Sequence, residues 1–312
     1  MTPSCTILIP TKDRPGLLGR ALASALTGAP RDAEILVVDD HSSPPAQKII
    51  ARLDDPRLRV VVNDGAAGAA GARNFGVLQA RGPIVFFLDD DDELLAGYCD
   101  HILTEVLPAA PDLDYGFSAY RVTDSPGADA GLDRIGGARL PDGPVAPDAP
   151  FRRRLCGFGV GFWIRREVFD ALGPIAEDLP TNEDTEYSCR LIEAGKSAWF
   201  CARPGVRLHR HAPAEGQRDL DHLTARTGNA ARAACFLAIY NRHPSLVQSD
   251  TEARRHLTQR YLKLAGKGGR LAPGWQFAAT LPRFRDRMSA RAQALLFLAA
   301  GRLKAPKRGP ES

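Results

Sequence analysis

A layered α/β fold around a mostly parallel sheet is what this sequence predicts, and three observations carry that expectation. Short continuous apolar runs, CTILI, EILVV, LRVVV and IVFF, read as strands, EILVV and IVFF as ones buried in a parallel sheet. Stretches with helical spacing separate them, at the rhythm of strand, crossover and parallel strand. Two of the runs end abruptly in carboxylates, VVDD and FLDDDD, and the carboxyl edge of an open α/β sheet is where ligands bind.

The chain of 312 residues is long enough for one large domain or two. No apolar stretch reaches the ~20 residues of a membrane span. The start, MTPSCTILIPTKDR, lacks a basic segment followed by a long apolar one, so no secretory signal is expected. Six cysteines without a CxxC pair argue against structural zinc and fit reduced thiols in a cytosol. The net charge of +4 conceals an asymmetry: residues 251–312 hold 14 Lys and Arg against 3 Asp and Glu, a balance of +11, which leaves −7 for residues 1–250. Such a tail suits anionic lipid, a polyanionic acceptor or nucleic acid alike.

Taken in order, residues 5–9 form the first strand, ended by Pro10. PTKDRPG then leads into LLGRALASAL at helical spacing, with Asp13 placed to cap the helix and Pro15 near its first turn. The second strand, 34–38, ends in Asp39-Asp40-His41-Ser42; a short helix over 45–53 and a third strand, 58–62, follow. NDGAAGAAGARNFGVLQARG is a glycine-punctuated turn running into a helix that carries Arg73 and Asn74. Its Gly65, Gly68 and Gly71 are spaced GxxGxxG and follow the third strand, which argues against a nicotinamide site. A phosphate contact and a close helix–sheet approach both explain these glycines.

The fourth strand opens at Ile84 after the Gly82-Pro83 turn. Beyond its aspartates, 98–106 reads as a helix, 115–122 as a strand and 124–150, dense in Gly, Pro, Asp and Ala, as a long loop. A glycine-rich approach, CGFGVGFW, brings a strand at 160–164 and a helix ended by Gly173-Pro174. Glu183 and Asp184 open an amphipathic helix ended by Gly195. Short strands at 198–201 and 206–208 follow, the second leading to His209-Arg210-His211. Helices over 219–242, 250–265, stopped by Gly266, and 288–303 complete the chain. The organisation expected is a domain over 1–215, with halves 1–123 and 151–215 flanking the loop, and a basic helical region over 216–312.

Asp89, Asp90, Asp91 and Asp92 emerge at the mouth of a buried strand. Adjacent carboxylates pinned there repel one another unless a cation or several donors sit among them. A hard divalent ion carrying phosphates, Mn2+ or Mg2+, is the natural occupant, because such ions combine one or two carboxylates with phosphate oxygens and water. A solvated acidic run is the plain alternative.

PTKDR after the first strand, VVDDHS after the second, GARN before the tetrad, FLDDDD, IRREVFDALG, NEDTEYSCRLIEAG and the late histidine pair together resemble the family-2 glycosyltransferases of the GT-A fold. The resemblance covers residues 4–212 and implies a GT-A-type layered sheet with a Rossmann-like nucleotide-binding half, here followed by a C-terminal helical extension. It implies inverting, metal-dependent transfer of a sugar from a nucleotide-sugar donor, UDP-linked before others, to a hydroxyl on a glycan, a lipid-linked saccharide or a surface polymer.

Carried onto this chain, the family's Asp pair falls on Asp39 and Asp40 and would hold the nucleotide, since a carboxylate accepts from the uracil imide or from ribose hydroxyls. Pro10, Thr11 and Arg14 match its first nucleotide-contacting loop, and Arg73 the position that approaches base or phosphates. The DxD signature falls on Asp89 and Asp91, with Asp92 completing DxDD. Asp91, Asp92, His209 and His211 are thereby implied as metal ligands, with Asp89 and Asp90 on the donor. The ED motif falls on Glu183-Asp184, with Asp184 as the general base. Residues 157–161 and Trp163 would floor the sugar pocket, an aromatic face suiting the apolar side of a pyranose. Structural roles stand beside these: Asp40-His41-Ser42 as a cap, Glu183-Asp184 as acids at a helix N-terminus, Trp163 as core.

The partners implied are the nucleotide-sugar donor and the glycan, lipid-linked or polymer acceptor, with no nucleic acid and the oligomeric state left open. A cytoplasmic chain is expected, with peripheral contact at the inner face of the membrane through the basic C-terminal helices. A non-catalytic GT-A scaffold would have a broken DxD or a missing ED acid, and neither is broken. A sugar nucleotidyltransferase would carry a glycine-rich basic signature where PTKDRPG stands.

Overall fold

The computed structural model describes residues 2–51, 53–124, 134–137, 140–210, 227–267, 272–281 and 283–303. Along the chain, β1 (Thr6–Thr11), α1 (Pro15–Gly28), β2 (Glu34–Asp39), α2 (Gln47–Ile50), β3 (Leu58–Val62), α3 (Ala69–Gln79) and β4 (Ile84–Phe87) build a parallel half-sheet in the order β3-β2-β1-β4. The continuous apolar runs follow from burial on both faces. Ile7, Ile9, Ile35, Val37 and Phe86 pack against Leu18 and Leu22 of α1 on one side. Leu8, Leu36, Val38, Val85 and Phe87 pack with Val77 of α3 on the other.

Pro10 does not end β1, which runs on to Thr11. Cys5 and Thr11 offer their carbonyls to Glu34 and Asp40 on the β2 side, whereas Leu8 accepts from Leu88 on the β4 side. By that alternation the nitrogen of Pro10 faces the β4 side, where β4 has already stopped at Phe87, so its missing N–H breaks no ladder bond. Asp13 does not cap α1 either; Arg14 holds the cap position, and Asp13 Oδ1 accepts from Ser43 N at 2.7 Å.

The second half adds β5 (Glu93–Leu94), then α4 (Tyr98–His101), which runs through a π-turn (Ile102–Val106) into α5 (Leu107–Ala109). After these come β6 (Tyr115–Asp124), β7 (Arg134–Gly136), β8 (Gly143–Pro144), α6 (Phe151–Arg154), β9 (Trp163–Arg165), α7 (Arg166–Leu172), α8 (Glu183–Glu193) and β10 (Ala198–Arg210). The sheet continues as β4-β9-β6-β10-β5, with β9 antiparallel to both neighbours and β10 parallel to β6. Two expectations change here. The stretch 124–150 is not all loop, because β7 pairs with β6 and β8 with β10. The two short strands at 198–201 and 206–208 are one, β10, whose register shifts between Cys201 and Val206.

Trp163 is core rather than pocket floor: it is 0% exposed, and a Cβ on Gly116 of β6 would lie 2.5 Å from its Nε1. The close helix–sheet approach in α3 belongs to Gly76, whose absent Cβ leaves room for Leu8, rather than to the three earlier glycines.

Residues 178–182 and 214–312 form a second compact unit. Its described helices are α9 (Asn229–Arg242), α10 (Pro244–Ser249), α11 (Thr251–Lys267), α12 (Ala272–Thr280) and α13 (Phe284–Leu303). Phe236, Ile239, Leu257, Tyr261 and Phe277 are buried there, with the Tyr261 and Phe277 rings edge to face at 4.9 Å. Gly266 does not stop α11; a Cβ there would sit 2.8 Å from the Phe297 carbonyl carbon, so the glycine lets α13 cross closely. Part of the helix expected over 219–242 lies outside the described residues. Among the described residues, no helix is long and apolar enough to cross a membrane.

Candidate active site

β2 ends in two buried acids that are used differently. Asp39 turns its oxygens back into the chain, accepting from Ser42 N and Ala46 N at 2.8 Å each. Asp40 reaches across to the next turn, accepting from Asn63 Nδ2 at 2.8 Å, Gly68 N at 2.9 Å and Lys12 Nζ at 3.3 Å. Burial pushes the Asp40 carboxyl up, but these donors outweigh it and hold its pKa below the usual carboxylate value. Gly68, at φ +101°, supplies a conformation that β-carbon-bearing residues avoid, and so aims its N–H at Asp40. The glycine turn therefore closes on a carboxylate of this chain.

The segment after β1 touches both acidic groups. Thr11 Oγ1 donates to Asp90 Oδ2 at 2.7 Å, and Arg14 Nη1 stands 3.1 Å from Asp90 Oδ1 and 3.2 Å from Asp91 Oδ2. Pro10 sits in the strand just before them. Arg20 of α1 donates to the Asp91 carbonyl at 2.6 Å.

Past the end of β4, Asp89, Asp91 and Asp92 each offer an oxygen, all within 4.8 Å of one another. Asp91 and Asp92 are buried and Asp89 is partly open. Burial first, then repulsion from Asp89 and Asp91, pushes the Asp92 carboxyl up to about 9. Burial likewise lifts Asp90 to about 6, against the hydrogen bond from Thr11 and the charge of Arg14. A set of hard oxygens this close, with one member pushed to hold its proton, fits a divalent ion such as Mn2+ or Mg2+.

Arg73 of α3 joins this group to the second motif. Its Nη2 is 2.7 Å from Asp89 Oδ1 and its Nη1 is 3.2 Å from Glu183 Oε1, with the guanidinium 5.2 Å from the Phe158 ring centre. The side chain is only 8% exposed, so it is a buried bridge and not the open helix arginine that its place in α3 suggests. Burial opposes its charge, yet Asp89 and Glu183 outweigh that and hold it protonated.

Asp184, beside Glu183 at the start of α8, is half-buried. Its Oδ1 accepts from Thr185 N at 2.6 Å. Burial and then the neighbouring Glu183 raise its pKa to about 6, with Thr185 and Arg73 pulling the other way. The loop between α6 and β9 runs alongside both motifs. A Cβ on Gly159 would fall 2.4 Å from Asp89 Oδ2, and one on Gly157 would fall 3.4 Å from Asp184 Oδ2. Gly157 and Gly159 thus line the acids while Trp163 does not.

His209 donates its backbone N–H to Asp92 Oδ1 at 3.1 Å, but its Nε2 pairs with Glu93 Oε1 at 2.9 Å. Burial and the charge of Arg20 lower its pKa. His211 lies outside the described residues. Thr11, Arg14, Arg73, Asp89, Asp90, Asp91, Asp92 and Glu183 are joined by direct contacts, Asp184 adjoins them in sequence, and Asp40 adjoins them by donating its N–H to the Thr11 carbonyl at 2.9 Å. Asn63, Lys12 and Glu93 escaped the sequence reading. Signals for two of them existed: Asn63 opens the NDG turn and Glu93 closes the acidic run.

Residues 6–173 match the family model described as Glycosyl transferase family 2. Over 98 residues the chain is 40% identical to the GalNAc(5)-diNAcBac-PP-undecaprenol beta-1,3-glucosyltransferase of Campylobacter jejuni, a match covering 30% of this chain and 32% of that protein. Over 111 residues it is 30% identical to the UDP-Glc:alpha-D-GlcNAc-diphosphoundecaprenol beta-1,3-glucosyltransferase WfgD of Escherichia coli, covering 36% and 44% respectively. These matches span less than half the length of either relative. In fold, the chain is similar to the crystal structure of S. aureus TarS 1-349 in complex with UDP-GlcNAc, with a TM-score of 0.62 at 16% identity over 97% of this chain and 82% of that one.

Proposed function

The chain belongs to glycosyl transferase family 2, and from that membership we propose that it is an inverting, metal-dependent glycosyltransferase. It takes a sugar from a UDP-linked donor and passes it to a hydroxyl of a lipid-linked saccharide or growing polysaccharide. The observation that carries this reading is the joining of two acid sets by one buried arginine, Asp89 to Arg73 to Glu183, beside a trio of carboxylates spaced for a cation. Relatives named for transfer to diphosphoundecaprenol-linked sugars support the acceptor class, and a fold neighbour named as a UDP-GlcNAc complex supports the donor.

In this reading Asp91, with Asp89 and Asp92, holds Mn2+ or Mg2+, and the ion when bound neutralises charge on the departing diphosphate. Lys12, Asp40 and the Gly68 turn form the nucleoside end, with Arg14 beside the phosphates. Glu183 is tied by Arg73, which leaves Asp184 as the general base. Asp184 takes the proton of the acceptor hydroxyl as that oxygen attacks the anomeric carbon opposite the leaving group. The bond from that carbon to the phosphate oxygen breaks, and its electron pair leaves with the nucleoside diphosphate. A pKa of about 6 keeps Asp184 ionised at neutral pH while leaving it a stronger base than a solvated carboxylate.

The test is a screen of UDP-, GDP- and dTDP-sugars for manganese-dependent hydrolysis or thermal stabilisation, on wild type and Asp91→Ala. Stabilisation by a UDP-sugar that needs Mn2+ and vanishes in the variant is expected. Donor binding indifferent to both metal and substitution overturns the metal role.

A further inference from the structure

The last helix of the second unit turns three large apolar side chains outward. Ala290, Ala294 and Leu298 of α13 are buried, a narrow stripe of mostly small residues packed within the unit. Met288, Leu295 and Leu296 are 49%, 50% and 67% exposed, and Ala292 and Ala299 lie exposed between and beyond them. Positions 288, 292, 295, 296 and 299 recur at helical spacing, so this is one continuous face. Trp275 of α12, 40% exposed, lies under the Arg291 guanidinium at 4.9 Å and so adjoins the same helix. Single exposed hydrophobics are ordinary, whereas an apolar stripe with a tryptophan beside it marks a contact surface.

Charge selects the occupant. Arg283 and Arg285 are exposed at the start of the helix, with Arg287 and Arg291 partly so. The one acid of α13, Asp286, stands 3.2 Å from Arg254. The stripe is therefore flanked by cations, in a region carrying +11 over residues 251–312. Leucines and a tryptophan that enter the acyl boundary, with arginines at the headgroup level, are how an interfacial helix binds an anionic bilayer. A second copy docking through the same patch would bring two strongly basic regions together, an unfavourable meeting of like charge.

We propose that the outer face of α13, with Trp275, is a docking surface for an anionic phospholipid bilayer. The surface lies in the second unit and stands without the glycosyl-transfer chemistry, so its test needs no activity.

The experiment is co-sedimentation of the full chain with vesicles of phosphatidylcholine alone and of phosphatidylcholine with phosphatidylglycerol. Wild type and two variants are compared, Leu295→Glu/Leu296→Glu and Arg283→Glu/Arg285→Glu, with circular dichroism checking that each folds. Binding to anionic vesicles that exceeds binding to neutral ones and falls roughly tenfold or more in either variant is expected, together with a blue shift of tryptophan emission that Trp275→Phe abolishes. Because all four substituted side chains are exposed, loss of fold is not the expected outcome; Leu295→Ser/Leu296→Ser repeats the comparison should the glutamates unfold the helix. Equal binding by wild type and variants overturns the proposal. So does a dimer in sedimentation velocity that Leu295→Glu/Leu296→Glu dissociates, which assigns the face to a second copy.

Discussion

Arg73 Nη2 stands 2.7 Å from Asp89 Oδ1, and the other arm of the same guanidinium reaches Glu183. One buried cation thus serves two acids from distant parts of the chain. Arg73→Met keeps the volume and removes the charge, leaving both acids without their partner. The expected cost in denaturant unfolding is roughly 2–3 kcal/mol, below the ~3–5 of a wholly buried pair because the Asp89 side chain is 31% exposed. Arg73→Lys is expected to rescue little, since one ammonium cannot bond both acids in a planar fork.

Replacing Asp184 by Asn removes the proposed base and leaves the shape of α8 alone. Transfer is expected to fall by a factor of roughly 10²–10⁴, while affinity for the donor stays near wild type. Turnover assays beside calorimetric titration of the donor separate the two.

The pH dependence has a definite sign. Asp184 acts as a base only when ionised, so the rate should rise through about pH 6 and level above it. Stability runs the other way for this group. Its folded pKa is raised by burial, so its contribution is fully present below the unfolded carboxylate range and is lost as pH rises through about 6. Unfolding free energies of wild type and Asp184→Asn should therefore converge at low pH and diverge above it, with the wild type losing ground. Parallel curves would count against the shifted group.

Manganese should raise the midpoint of thermal unfolding of the wild type, by a stabilisation of about 2.7 kcal/mol at a hundredfold excess over its dissociation constant. Asp91→Ala and Asp92→Asn are expected to lose most of that gain, as read by differential scanning fluorimetry with and without chelator.

Gly159→Ala tests the loop against the acids. Its Cβ would fall 2.4 Å from Asp89 Oδ2, the far end of a side chain, so Asp89 shifts while the backbone stays. A stability change under ~1 kcal/mol with a loss of transfer of up to about 10²-fold is expected, the scale of a 1 Å misplacement.

The parallel half was legible because burial on both faces writes itself as unbroken apolar runs, as in EILVV; LRVVV keeps the pattern although β3 is the edge strand and only partly buried. The tetrad and the ED pair were legible for the same reason, each pinned to an element end. Elements set by pairing rather than by their own pattern were not. β7 and β8 are strands of two or three residues defined by pairing with β6 and the distant β10, and the register shift that makes β10 look like two strands falls between Cys201 and Val206. The burial of Arg73 was not legible, because it depends on acids that no local window contains. Asn63 and Gly159 matter only through the acids they meet in space, Asp40 and Asp89.

The bridge also orders events in time. Arg73 reaches 16 residues along the chain to Asp89 and 110 to Glu183, while the family match ends at residue 173. A ribosome that has released everything up to α7 has made all the strands of the parallel half, yet the arginine there holds one acid of its two. On the proposed reading, competence is conferred by the late-arriving α8, and a nascent or truncated chain can look assembled at its proposed nucleotide end long before it is fit to turn over.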